Sequence, residues 1–244
     1  AKVFITRRIP EEAIELLKNA PEVAEVKVNP DNRVLSRSEL EEGVRWADAV
    51  LSQLTDKVDG ALLDQNPKLK IVANYAVGYN NIDVKAATER KVPISNTPDV
   101  LTDTTADLTF ALLLSTARRI VESDTYLRTG QYKGWEPLLL LGNDVHHKTI
   151  GIVGFGRIGY AVAKRAKGFD MNIIYHDIDE KPYAKDLGAK LVSMETLLKE
   201  SDFITLHPFL DPKTHHMIDE PQLKMMKKNA ILLNAARGPV INEK

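Results

Sequence analysis

Three glycines, Gly154, Gly156 and Gly159, stand directly after the apolar run TIGIV (149–153) and open a helical pattern that extends to about Phe169. No other feature of the chain restricts its fold so tightly. A G-x-G-x-x-G turn between a strand and a helix is the start of a βαβ unit. Gly154 permits the tight turn, Gly156 lets the backbone approach a pyrophosphate, and Gly159 lets the helix lie near the strand. The amides around Arg157 and Ile158 then point from a helix N-terminus, where the macrodipole favours anions. The same spelling also occurs in glycine-rich turns that bind nothing, and the strand before and helix after argue for a dinucleotide. Asp177 adds to this. It ends the next strand, MNIIYHD, about 20 residues on, where a carboxylate accepts hydrogen bonds from both hydroxyls of an adenosine ribose. A 2′-phosphate would ask for arginine or serine, whereas the segment reads His176-Asp177-Ile178-Asp179. The pattern therefore points to NAD rather than NADP.

The rest of the chain repeats the same alternation. KVFIT (2–6), EVAEVKV (22–28), ADAVLS (47–52), LKIVAN (69–74) and KVPISN (91–96) read as strands. Between them lie a helix opened by Pro10 and running to about Asn19, one begun by a capping-box-like Ser36 and Glu39, and helical stretches near 57–64 and 82–89. Asn96-Thr97-Pro98-Asp99 breaks the series. From about Thr102 a long helix follows, with Ala106, Phe110, Leu113, Ala117 and Val121 on one face. Leu108, Leu112 and Leu114 are left over beyond that face, which suits a twofold dimer. Beyond the glycine unit, FITLH (203–207) and AILLN (230–234) are two further buried strands. Strict alternation predicts an α/β fold of two doubly wound parallel-sheet domains with right-handed crossovers, and a cleft between them for a small molecule.

Composition narrows the function classes. The chain of 244 residues is 43% hydrophobic and 27% charged, with a net charge of −1, so no overall field favours nucleic acid or an anionic membrane. It has no cysteine, which excludes disulfides, thiolate metal sites and a cysteine nucleophile, and suits a cytoplasmic protein. The run Leu138–Leu141 is far below spanning length. His146-His147 and His215-His216 lie in loop-like stretches without helical ligand spacing, so no metal site is expected.

Several segments together are more specific than the glycines alone. NYAVGYNNID (74–83), SNTPDVLTDTTADLTFALLL (95–114), GIVGFGRIG (151–159), SDFITLH (201–207) and NAARGPVIN (234–242) resemble the D-2-hydroxyacid dehydrogenases. With GWEPLLLLG (134–142), the chain is most similar to the glyoxylate/hydroxypyruvate reductase branch. The resemblance implies a flavodoxin-like substrate domain over residues 1–98 and a Rossmann NAD domain over 99–244. It implies that the amides of Val77 and Gly78 hold the substrate carboxylate and that Arg237 binds the substrate and polarises its carbonyl. Thr104 would lie near the cofactor phosphate or nicotinamide, His207 and Ala235 beside the cofactor, and Trp135 would reach a neighbouring subunit's active site. The chemistry is sound, because a 2-oxoacid presents a carboxylate and a ketone in one plane, matching a guanidinium fork. Fixed positive charge beside the developing alkoxide favours the transition state over the ground state.

The family pattern also contains a histidine that protonates the alkoxide and a glutamate that keeps it charged, both after the Arg237 motif. The sequence ends at Lys244, so the expectation is that the C-terminal part of the NAD domain, the return to the substrate domain and this proton donor are missing from it. After His207 the family commonly shows His-x-Pro-Leu, whereas this chain reads His207-Pro208-Phe209-Leu210, so the loop is expected to take a different path. Three readings stay open: reduction of glyoxylate or hydroxypyruvate, action on another acid such as phosphoglycerate or D-lactate, and a catalytically inactive NAD-binding sensor or corepressor. A phosphorylated acid would need extra cations, for which Arg7, Arg8 and Arg33 are available by composition.

Overall fold

A computed structural model describes residues 1–244. The chain divides into two compact units, Ala1–Asp99 and Val100–Lys244.

The first unit runs β1 (Lys2–Ile5), α1 (Glu11–Lys18), β2 (Glu25–Val28), α2 (Arg37–Trp46), β3 (Ala49–Ser52), α3 (Gly60–Leu63), β4 (Ile71–Asn74), α4 (Val84–Glu89) and β5 (Ile94–Ser95). Its strands pair in parallel in the order β2-β1-β3-β4-β5, the flavodoxin-like order, with its switch point between β1 and β3. β1 shows why both faces are covered. Val3 and Ile5 join Ile9 and Ile14 in one core, while Phe4 joins Val44, Val50, Leu62 and Val72 in the other. α2 begins on the predicted capping box: Ser36 Oγ accepts the Glu39 amide, and Glu39 accepts the Ser36 amide at 2.8 Å.

Two strands fall furthest short of their patterns. The one expected over 22–28 starts at Glu25, because the Val23 amide turns back to the Ala20 carbonyl. The one expected over 91–96 shrinks to Ile94–Ser95. There Lys91 adopts φ 57°, the Val92 amide bonds the Ala87 carbonyl, and Pro93 has no N–H to give.

The second unit runs α5 (Thr102–Ala117), α6 (Ile120–Arg128), β6 (Thr149–Val153), α7 (Arg157–Lys167), β7 (Asn172–His176), β8 (Lys190–Leu191), α8 (Met194–Glu200), β9 (Phe203–Leu206), α9 (Glu220–Met225) and β10 (Ile231–Asn234). All its strands are parallel, in the order β10-β9-β6-β7-β8, so the direction of winding switches between β6 and β9. Phe110, Leu113, Ile150, Ile152, Val162 and Tyr175 fill one face of the sheet; Leu197, Leu198, Ile204, Leu206 and Ile218 fill the other.

The single long helix expected from Thr102 is two helices. Arg119 takes a left-handed conformation, φ 55°, and starts a new helix, which leaves Val121 70% exposed instead of on the buried face. Ala106, Phe110, Leu113 and Ala117 are buried as their spacing predicts, and Leu114 packs partly against the same core. Leu108 and Leu112 stay exposed. No helix is long and apolar enough to cross a membrane.

Candidate functional site

The glycine turn sits at the switch point of the second sheet, between the ends of β6 and β9. Gly154 has φ +86°, and a Cβ placed there would lie 2.8 Å from the carbonyl of His207, just past β9. A Cβ at Gly159 would lie 2.2 Å from the Gly154 carbonyl oxygen. At Gly156 it would meet nothing within 4 Å. Two glycines are thus required by the protein's own packing, and the middle one leaves open space. The Gly156 and Ile158 amides have no acceptor in the chain, and Arg157 is exposed at the same helix start.

Asp177, at the end of β7, faces this turn. One carboxylate oxygen accepts the Phe155 amide at 2.7 Å; the other accepts the Ile178 amide at 2.7 Å and lies 3.2 Å from Lys181 Nζ. Burial opposes ionisation of Asp177, but the Phe155 amide, Lys181 and the Ile178 amide outweigh it and hold the carboxyl below its ordinary value. A carboxylate has about four lone-pair sites and these three partners leave one, so acceptor capacity remains for a ribose hydroxyl. The turn is clamped from outside as well. Phe155 stacks on Tyr175 at 4.2 Å, and the Tyr183 hydroxyl donates to the Phe155 carbonyl at 2.8 Å.

His207 Nε2 lies 2.9 Å from Thr205 Oγ1, and its Nδ1 is buried without a partner. Burial pushes the imidazole down to about 4. The unfolded chain takes up this proton near pH 6.5 and the folded chain only near 4, so the contribution is complete above pH 6.5 and is lost as pH falls. We expect stability to drop by about 3 kcal/mol over that window from this group. Urea melts at stepped pH check it: His207→Gln should flatten the slope between pH 6.5 and about 4.5, and an unchanged slope would assign the loss elsewhere.

Arg237 follows β10 at the carboxyl edge of the same sheet. Asn234 fixes its loop, accepting the Ala236 amide at 3.0 Å and donating to the Arg237 carbonyl at 2.8 Å. Arg237 Nη1 donates to the Ala236 carbonyl at 2.9 Å, and burial lowers the guanidinium's pKa from its very high ordinary value. Ala235 is partly buried in this loop, and Thr104 is exposed in the first turn of α5. Trp135 is 80% exposed.

In the first unit, Val77 and Gly78 follow β4 at that sheet's carboxyl edge. Their loop is held through its carbonyls: Thr97 N–H donates to Ala76, Asn96 Nδ2 to Val77 and the buried Asn74 Nδ2 to Gly78, at 2.9, 2.9 and 3.0 Å. Ser52 Oγ in turn donates to Asn74 Oδ1 at 3.0 Å. The Val77 and Gly78 amides donate to nothing in the chain. The loop's carbonyls are engaged while the Val77 and Gly78 amides are not, the polarity an anion needs.

Residues 110–244 match the family of the D-isomer specific 2-hydroxyacid dehydrogenase, NAD binding domain. A glyoxylate reductase from Thermococcus litoralis is 54% identical over 246 residues, which is 99% of this chain and 73% of that protein. The chain belongs to the D-isomer-specific 2-hydroxyacid dehydrogenase family. Among solved structures, a protein from Thermus thermophilus is 42% identical with a TM-score of 0.91, over 99% of this chain and 76% of that one. A glyoxylate reductase from Paecilomyes thermophila is 32% identical with a TM-score of 0.84, over 99% and 75% of the two chains.

In this dehydrogenase the residues of the second unit fit a dinucleotide: open space at Gly156, unused amides beside it, and a buried, unpartnered His207 Nδ1 at the same switch point. Asn74, Asn234, Tyr183 and Lys181 are absent from the sequence reading. A strand ending in Asn and followed by a short loop was the available signal for the first two. Nothing local marks the other two.

Proposed function

We propose that this dehydrogenase uses NADH to reduce glyoxylate, or the similar hydroxypyruvate, to the D-2-hydroxyacid. The observation that carries this reading is the 54% identity, along 99% of the chain, to a glyoxylate reductase. The amides of Gly156 and Ile158, with Arg157 and the close-packed Gly154 and Gly159, hold the pyrophosphate. Asp177 takes the adenosine ribose, which favours NAD, and Thr104, His207 and Ala235 line the rest of the cofactor's path. When bound, the nicotinamide supplies the hydride. Val77 and Gly78 hold the substrate carboxylate, and Arg237 polarises the keto oxygen and stabilises the alkoxide that forms. His207 is neutral at pH 7 and is not the proton donor. By resemblance, that step goes to the histidine–glutamate pair that follows the Arg237 motif in the family.

A phosphorylated acid is less well supplied. Arg7 bonds Asn32, Arg8 pairs with Glu11, and Arg33 pairs with Asp31 and Glu39. Steady-state assays of the complete gene product with glyoxylate, hydroxypyruvate, phosphoglycerate and pyruvate test the reading. A kcat/KM highest for phosphoglycerate or pyruvate would sink the substrate assignment. Tight NADH binding with no turnover of any of them would favour the sensor or corepressor.

The active form in this reading is a cytoplasmic homodimer. Leu108, Leu112, Val121, Leu127 and Leu138 are all exposed. Pairing of two copies would cover them and bring Trp135 to the neighbouring subunit's substrate. Light scattering should give twice the chain mass, and the double variant Leu112→Glu, Val121→Glu should give the single mass. A monomeric wild type at micromolar concentration refutes this.

A further inference from the structure

The strand end that carries Asp177 also carries a cation that is not apparent from the acidic run preceding it. Lys181 returns to Asp177 because the chain folds back at once: its own amide donates to the Tyr175 hydroxyl at 3.0 Å, and a 3-10 helix from Pro182 to Leu187 follows. Tyr183, in that helix, is anchored to the Phe155 carbonyl of the glycine turn. Lys181 is thus fixed through its own amide and through its carbonyl, which accepts the Ala184 amide at 2.9 Å, and its side chain is 22% exposed, unlike an ordinary surface lysine. The other charges of this segment are Asp179 and Glu180, and Glu180 lies 4.0 Å from Lys185. Burial works against the Lys181 ammonium, but Asp177 more than offsets it, so the side chain is firmly charged.

We propose that Lys181 sets how strictly this site separates NADH from NADPH. The proposal rests on reading Asp177 as the ribose-side carboxylate. With a free 2′-hydroxyl, Asp177 accepts from the ribose and Lys181 stays on the carboxylate. A 2′-phosphate in the same place would be repelled by Asp177, with Asp179, which also acts on Lys181, adding to it. An ammonium carries a full positive charge and three donors on a flexible stem, so Lys181 can serve carboxylate and phosphate together. NADPH is therefore disfavoured but not excluded, and the margin depends on one residue.

Fluorescence titration with NADH and with NADPH, at low and moderate salt, tests this on the complete protein without turnover. Lys181→Met should weaken NADPH at least about tenfold, leave NADH within about threefold, and flatten the salt dependence of NADPH binding. Lys181→Arg, which keeps the charge, should retain NADPH to within about threefold. Asp177→Asn should tighten NADPH and weaken NADH. Equal weakening of both dinucleotides by Lys181→Met, or no change in either, overturns the proposal, as does a loss in the arginine variant as large as in the methionine one. Failure of the wild type to bind either dinucleotide would instead overturn the assignment of the glycine turn.

Discussion

Replacing Arg237 with methionine is expected to lower kcat/KM for glyoxylate by about a thousandfold or more, while NADH affinity stays within about threefold. Removing a single donor to a developing oxyanion costs about 10²–10³ in rate. Arg237 is proposed to do that and also to grip the substrate, so its loss belongs at the upper end. The guanidinium is partly buried, which strengthens its field at the reacting oxygen. Asn234 braces its loop through two hydrogen bonds that the variant keeps, so the variant should fold. Arg237→Lys should recover only part of the loss, because a point charge lacks the forked geometry. Steady-state kinetics on the complete gene product, with an NADH titration beside it, provides the check. A loss under tenfold would remove Arg237 from the chemistry.

The second large effect separates the three glycines. Gly156→Ala should abolish measurable NADH binding, at least about a hundredfold in Kd, with a stability change within about 1 kcal/mol. The methyl enters space that the protein does not use, and Gly156 has an ordinary φ of −76°. Gly159→Ala should do the reverse in emphasis. Its methyl would collide with the Gly154 carbonyl, so α7 must shift, and overpacking of this kind costs about 1–3 kcal/mol. Thermal melts and NADH titration of both variants are the measurement. Equal destabilisation by the two would mean that the open space at Gly156 is not a ligand's.

These contrasts also show which parts of the site are readable from residues alone. The β6–turn–α7 unit is legible because apolar run, glycine spacing and helical period agree over one short stretch. Arg237 and the Val77–Gly78 loop come through family likeness, whereas the asparagines that hold them emerge only when strand ends and loops are seen together. The break at Arg119 is hidden because a left-handed arginine has no sequence mark, and the apolar period runs straight across it. β5 is overestimated because Val92 fits a strand but its amide is spent on α4. Lys181 is the instructive omission. Reading the segment for charge stops at the acids, but the side chain that tempers them arrives by a fold-back set by Tyr175 and Tyr183.

Gly154 and the His207–Pro208 peptide have a consequence for engineering. Since no side chain fits between them, the turn after β6 and the loop after β9 form one part made of two separated pieces of sequence. Exchanging the 207–210 segment for a relative's version would shift the wall against which the turn is seated. Chimaeras should therefore carry both pieces from one parent. A graft of the β9 loop alone should cost cofactor affinity even when every residue that touches the cofactor is kept.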